Sequence, residues 1–408
     1  MAEATLVATT RRLDTDLDLL AIAGSDGVLV EHEGRGLAGR GVARRVTVPA
    51  GADAAAAVHA TLDRIDVDDE VGLPGCGPVA FGALPFAPDA AKDLVIPEVV
   101  VGRGEDGTRW LTTIGPAGAP PEMTVSRLPP ESVVDPGPMH VTAARSSADW
   151  CAALEVGRDR IRSGELSKFV FAREVNVSWE RPLPRQVVLA RLRAAYPTCY
   201  ITSVGPMVGA SPELLLSRRG DIVRTRPLAG TAPRSPDPTT DARLAASLLA
   251  SAKDRQEHQI VIDMLHDTLL PWCSYLDAEP EPSVVGMANV QHLATYLEGR
   301  LSSPAASALE LVQAVHPTPA VGGTPRDVAL AVIAELEAAE RGAYAGPVGW
   351  VDASGNGDWV VGIRSAELDD TSARVFAGVG VVADSDPVAE LAETRAKFQA
   401  ILSALLRP

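Results

Sequence analysis

Two helical patterns in this chain each carry a pair of acids, and the residues near them are of the types that hold a small anion beside a cation. S-A-K-D-R-Q-E-H places Asp254 and Glu257 three apart, and A-E-L-A-E-T-R-A-K places Glu390 and Glu393 three apart with Lys397 one turn further on. Spacings of three and four put side chains on one helical face. Two helices that each offer an acidic pair can face one another and make an all-oxygen site, which suits Mg2+ better than any softer metal. Either pair alone also fits a solvated helix face. Against that reading stands the segment F-A-G-V-G-V-V just before the second pair, where Gly378 and Gly380 let backbone amides approach an anion closely. Tyr344 in R-G-A-Y-A-G-P-V-G-W and Arg364 in V-V-G-I-R-S-A can grip a carboxylate.

Two further residues have the chemistry of a base and an acid. Lys168 stands between apolar residues in L-S-K-F-V-F-A-R. It fits a lysine that snorkels at a sheet edge; buried near a metal site, its pKa would fall and it could act as a general base. Glu213 in G-A-S-P-E-L-L-L-S-R fits an ordinary turn acid, or a carboxyl sheltered from water that stays protonated and donates to a leaving hydroxyl. His292 in V-Q-H-L-A-T fits a satisfied core histidine and a hydrogen-bond donor to a ligand equally well. His258 points away from the Glu257 site, and His316 in a Pro/Gly loop shapes a pocket wall.

The elements that must position these residues are legible in outline. Before about residue 141, short apolar runs punctuated by Gly and Pro predict a β-rich half with one helix over 53–64, and G-L-P-G-C-G predicts tight turns rather than a phosphate loop. Residues 117–147 hold the densest Pro/Gly stretch and predict a linker or exposed excursion. Helices are expected over 146–163, 185–196, 239–251, 254–269, 305–315, 325–339 and 387–406, with strands between them.

Bulk properties narrow the partners. A net charge of −16 argues against nucleic acid and anionic membranes, both of which need a basic footprint, and requires an anionic substrate to be met by locally concentrated Lys, Arg or metal. The four cysteines form no C-x-x-C pair, and no leader or membrane-span pattern is present, so a cytoplasmic protein is expected.

These segments together resemble the chorismate-utilising enzymes, in particular the isochorismate synthases. R-T-R-P-L-A-G-T, K-D-R-Q-E-H, H-P-T-P-A-V-G-G-T-P-R, R-G-A-Y-A-G-P-V-G-W and A-E-L-A-E-T-R-A-K carry the resemblance from about residue 146 onward, and F-G-A-L-P-F carries it before. The resemblance implies one α+β domain over 1–408, with 1–145 as a β-rich N-terminal part and 146–408 as the catalytic core. Its large, mainly antiparallel sheets would pack face to face with helices outside. It implies that Glu257 and Glu393 bind Mg2+ with Asp254 and Glu390 supporting through water. Tyr344, Arg364, Gly378, Gly380 and Lys397 would hold the substrate carboxylates, and Thr231 and His292 would line the pocket.

Within the family, Ala229 stands where the aminodeoxychorismate synthases have a nucleophilic lysine. Lys168 marks the members that use water rather than ammonia, and Ala320 matches the isochorismate pattern rather than that of the salicylate synthases. The implied reaction converts chorismate to isochorismate for menaquinone or siderophore synthesis, by a monomer or weak homo-oligomer without a glutaminase subunit. Rival readings are a salicylate synthase, an ammonia-using anthranilate synthase-like subunit and a non-catalytic protein that binds an acidic metabolite.

Overall fold

The computed structural model describes residues 5–123, 134–287, 290–337 and 339–406. Among them, alternating apolar positions build two large sheets. The first has thirteen strands, and its central run joins Lys168–Trp179 to Ser372–Val381, Ser365–Leu368, Met207–Ser211, Tyr200–Val204 and Val28–His32. The second has nine strands, in which Leu214–Arg219, Gly357–Val361, Pro347–Asp352 and Val79–Ala83 are neighbours. Strand pairs are antiparallel throughout the described residues except Leu6–Arg12 with Asp66–Asp69. Both sheets thus contain strands from before and from after residue 145, joined where Val28–His32 pairs with Tyr200–Val204 and Val79–Ala83 with Pro347–Asp352.

The sheets pack face to face. Val30, Leu37, Val100 and Met207 of the first meet Phe81, Leu214, Val348 and Trp350 of the second in one buried cluster. Helices cover the outer faces. Ser147–Arg162 lays Trp150 on Phe171 at 5.1 Å between ring centroids, and Pro387–Leu405 buries Phe398, Ile401 and Leu405 beside Val175 and Ala377. No described helix is long and apolar enough to cross a membrane.

The expected helices form because their caps are written locally. Ser146, Ser251, Ser307 and Asp386 each accept a backbone N–H at a helix start. The seven-helix pattern expected after residue 145 is observed, with ends shifted by a few residues. The helix expected over 53–64 is Ala54–Leu62.

Two departures have physical reasons. The expected linker over 117–147 contains a strand, Met139–Ala143, paired with residues 175–179 at the sheet edge. The Pro-rich surroundings mask M-H-V-T-A because an edge strand needs partners on one side only. Residues 124–133 of that stretch lie outside the described residues. A five-residue helix, Leu19–Ala23, is wholly buried and too short to show a helical period. G-L-P-G-C-G does form tight turns, with Gly72, Gly75 and Gly77 at φ 69, 85 and 72°.

Candidate active site

The strand Lys168–Trp179 delivers Lys168 into the interior, where it is 2% exposed. Its Nζ donates to Glu257 Oε1 at 2.5 Å, so the first helix acid meets the strand lysine across 89 positions of sequence. Gly380 lies opposite Val170 in the neighbouring strand, and there the absent side chain matters. A Cβ at Gly380 would stand 3.0 Å from both Glu257 Oε1 and Lys168 Cε, and one at Gly378 would stand 3.1 Å from the Tyr344 hydroxyl. Gly380→Ala is therefore expected to leave a folded protein with turnover reduced at least tenfold, checked by comparing thermal midpoint with kcat. The added methyl costs only about 1–3 kcal/mol in a core but displaces the Lys168–Glu257 pair.

A second lysine mirrors the first. Lys397 Nζ donates to Glu393 Oε1 at 2.6 Å and to the Gly378 carbonyl at 2.9 Å. Burial works to raise both carboxyls. At Glu257 the charge and hydrogen bond of Lys168 outweigh it, and at Glu393 those of Lys397 do, so both sit below the usual carboxylate range. Glu390 is different: burial raises it, against a 2.8 Å hydrogen bond from Ser385 Oγ. Ser385 is a residue the sequence reading passed over. It immediately precedes the Asp386 N-cap, which places its hydroxyl beside the first turn of the helix and so beside Glu390.

The opposite wall is neutral and cationic. His292 Nδ1 lies 3.0 Å from the Gly230 carbonyl and 3.2 Å from Thr231 Oγ1. A carbonyl only accepts, so Nδ1 carries the proton and Nε2 is left as an acceptor. Arg364 Nη2 stands 3.4 Å from that Nε2. Burial, with Arg364 and Lys397 adding to it, pushes His292 down to about 3, so the ring is neutral. His292 thus donates its Nδ1–H to the backbone and turns Nε2 toward Arg364. Arg364 itself sits at φ 52°, in the left-handed region, where the chain turns between Gly357–Val361 and Ser365–Leu368. Asp254 borders Gly230, whose Cβ would lie 3.1 Å from that of the acid.

Glu213 joins strands Met207–Ser211 and Leu214–Arg219 and is 3% exposed. Burial raises its carboxyl to about 7, against the Leu228 N–H and the charges of Arg364 and Lys168. Tyr344 is also buried, stacked on Phe376 at 5.1 Å, and burial raises its phenol.

The structure therefore brings together Lys168, Glu213, Glu257, Gly378, Gly380, Tyr344, Arg364, His292, Thr231, Asp254, Lys397, Glu393 and, within reach of the charges of Glu393 and Lys397, Glu390. Ala320 sits half-buried on the loop that pairs with the Lys168 strand, where the Val170 N–H donates to Gly322 O at 2.7 Å. His258 turns away from Glu257, as expected, with Nε2 2.7 Å from Thr295 Oγ1.

The donor set bears on the implied cation. Among the described residues no three His, Cys, Asp or Glu side chains converge as a ready-made ligand set. What the site offers is two separate carboxylates, each held by an ammonium standing where a cation would bring its charge. Such a set fits Mg2+, which needs few protein ligands and takes the rest from water and substrate.

A family profile described as chorismate binding enzyme matches residues 30–406. A Mycobacterium tuberculosis protein named MenF is 42% identical over 344 residues, spanning 81% of this chain and 87% of its own length. The isochorismate synthase DhbC of Bacillus subtilis is 39% identical over 80% of this chain and 81% of its own. The solved structure of a DhbC protein from Bacillus anthracis superposes with a TM-score of 0.82 at 33% identity, covering 96% of this chain and 99% of that one.

Proposed function

The chain belongs to the chorismate-binding enzymes, and from that premise we propose that it is an isochorismate synthase, moving a hydroxyl around the ring of chorismate with water as nucleophile. The observation that carries the reading is the burial of a lysine and a protonatable acid on one anion cradle. Lys168 and Glu213 are 2% and 3% exposed, within electrostatic reach of one another. Binding an acidic metabolite needs neither a base nor an acid, whereas this reaction needs both.

Lys168, once free of its proton, takes one from a water that attacks C2. Glu213 gives its proton to the hydroxyl leaving C4, and the ring double bonds shift between the two carbons. Water enters and water leaves, so the step is an isomerisation. Arg364, Tyr344, the backbone at Gly378 and Gly380, and Lys397 hold the two carboxylates. These local cations answer the anionic substrate in a protein of net charge −16.

Glu257 and Glu393 would hold Mg2+, with Asp254 and Glu390 supporting through water; the ion supplies charge that fixes the ring carboxylate in place. Glu257→Gln is expected to raise the Mg2+ concentration for half-maximal activity at least tenfold. An unchanged Mg2+ dependence would remove Glu257 from the metal site. We place the enzyme in the cytoplasm, where its four unpaired thiols are at home, acting as a monomer or weak homo-oligomer without a glutaminase.

The test is incubation with chorismate and Mg2+, with and without an ammonium salt, followed by chromatographic identification of every product. Isochorismate in equilibrium with chorismate, abolished by chelator, is the expected result. Salicylate with pyruvate, anthranilate, or no turnover would each overturn it.

A further inference from the structure

Lys168 depends on a short stretch of irregular pairing. On one side its strand is bonded continuously to Ser372–Val381, but on the other its partners change along its length. Lys168 and Phe169 pair with Thr324 and Gly323, and residues 175–179 pair with Met139–Ala143. Between these two partners no strand among the described residues lies alongside.

A buried ion pair fills that gap. Glu337 Oε1 accepts the Ala172 N–H at 2.7 Å, and Arg341 Nη2 donates to the Val170 carbonyl at 2.8 Å. Arg341 closes on Glu337 through Nε at 2.8 Å and Nη2 at 2.6 Å, and its Nη1 donates to the Val321 carbonyl at 2.9 Å. The two side chains are only 2% and 5% exposed. A buried pair contributes little net stability once desolvation is counted, so its place here calls for another role. Register is the natural one, because a slip by one residue would turn Lys168 to the opposite face of the sheet.

The guanidinium is itself seated on the N-terminal part. The Phe86 ring lies 4.0 Å beneath Arg341. The Phe86 N–H donates to Gly342 O at 2.9 Å, and its carbonyl accepts from His316 Nε2 at 3.0 Å. His316 heads the loop that ends in Gly323 and Thr324. Phe86 therefore touches both the segment carrying Arg341 and the loop paired with Lys168.

We propose that Phe86, His316 and Arg341 are positioning residues, a brace by which the N-terminal part holds the Lys168 strand in register and the base in reach of substrate. The functional consequence rests on Lys168 acting as the base. Phe86→Ala removes the seat without unbalancing a buried charge, and Arg341→Lys keeps the charge but loses the fork that reaches Glu337, Val170 and Val321 together.

Both variants are to be measured for steady-state kinetics with chorismate and for amide hydrogen exchange, beside Lys168→Ala. The expected result is a fall in kcat of about ten- to a hundred-fold with KM within about threefold, and faster exchange confined to residues 167–172 and 316–324. Exchange unchanged in those segments, exchange accelerated throughout the protein, or kcat equal to the parent would each overturn the brace. Should Lys168→Ala retain turnover, the base assignment falls, and the exchange data still judge the brace by themselves.

Discussion

Lys168→Ala is expected to lower turnover by about a hundred- to ten-thousand-fold, the range a positioned base contributes, while chorismate and Mg2+ still bind. The lysine reaches the site from a strand and donates to Glu257, whereas the proposed holders of the carboxylates are Arg364, Tyr344 and Lys397. On the proposed mechanism, losing it removes the acceptor for the proton of water but not the anion cradle. It also strips Glu257 of its 2.5 Å ammonium partner, so calorimetry should find Mg2+ binding at least as tight as in the parent. Lys168→Arg should be equally inactive, because a guanidinium keeps its proton at any working pH. Turnover within threefold of the parent would remove Lys168 from the mechanism, and loss of Mg2+ binding would make it a structural residue.

Glu213→Gln carries the second large effect, and its pH dependence identifies the role. An acid must be protonated to act. With its carboxyl held at about 7 by burial, the protonated acid should be fully present below that value, and the share of enzyme carrying it should fall about tenfold per pH unit above it. In Glu213→Gln turnover should drop by about a hundredfold or more, and the residual rate should lose that alkaline limb.

Stability should move the other way. The folded carboxyl binds its proton more tightly than the unfolded one, whose ordinary value is 4.5. Stability therefore declines as pH rises from about 4.5 to 7, and the ionised group costs about 3 kcal/mol at pH 8. Glu213→Gln should accordingly raise the thermal midpoint at pH 8 and leave it nearly unchanged at pH 4. An alkaline limb that persists in the variant would assign it to another group.

What the chain could say of itself was local. Helix starts were legible because a cap is a contact over two or three residues, as where Ser146 accepts the Asp149 N–H and Asp386 accepts those of Val388 and Ala389. The site residues were legible as types and spacings, since Asp254 with Glu257, and Glu390 with Glu393 and Lys397, already share helix faces. Their roles came with the resemblance of whole motifs.

Tertiary structure decided everything that depends on distance in space. Nothing near Lys168 in sequence says that its partner is Glu257, and nothing near Glu213 says that it is sheltered enough to keep a proton near neutrality. Desolvation is a property of what packs around a group, not of its neighbours along the chain. For the same reason V-Q-H-L-A-T leaves the tautomer of His292 open, because it depends on the Gly230 carbonyl that lies at its Nδ1. The strand Met139–Ala143 hid among prolines until its partner showed it to be an edge. Arg341 and Phe86, 255 positions apart in sequence, become one unit only when two sheets fold their strands together, because register is set by the partners a strand meets and not by the strand alone.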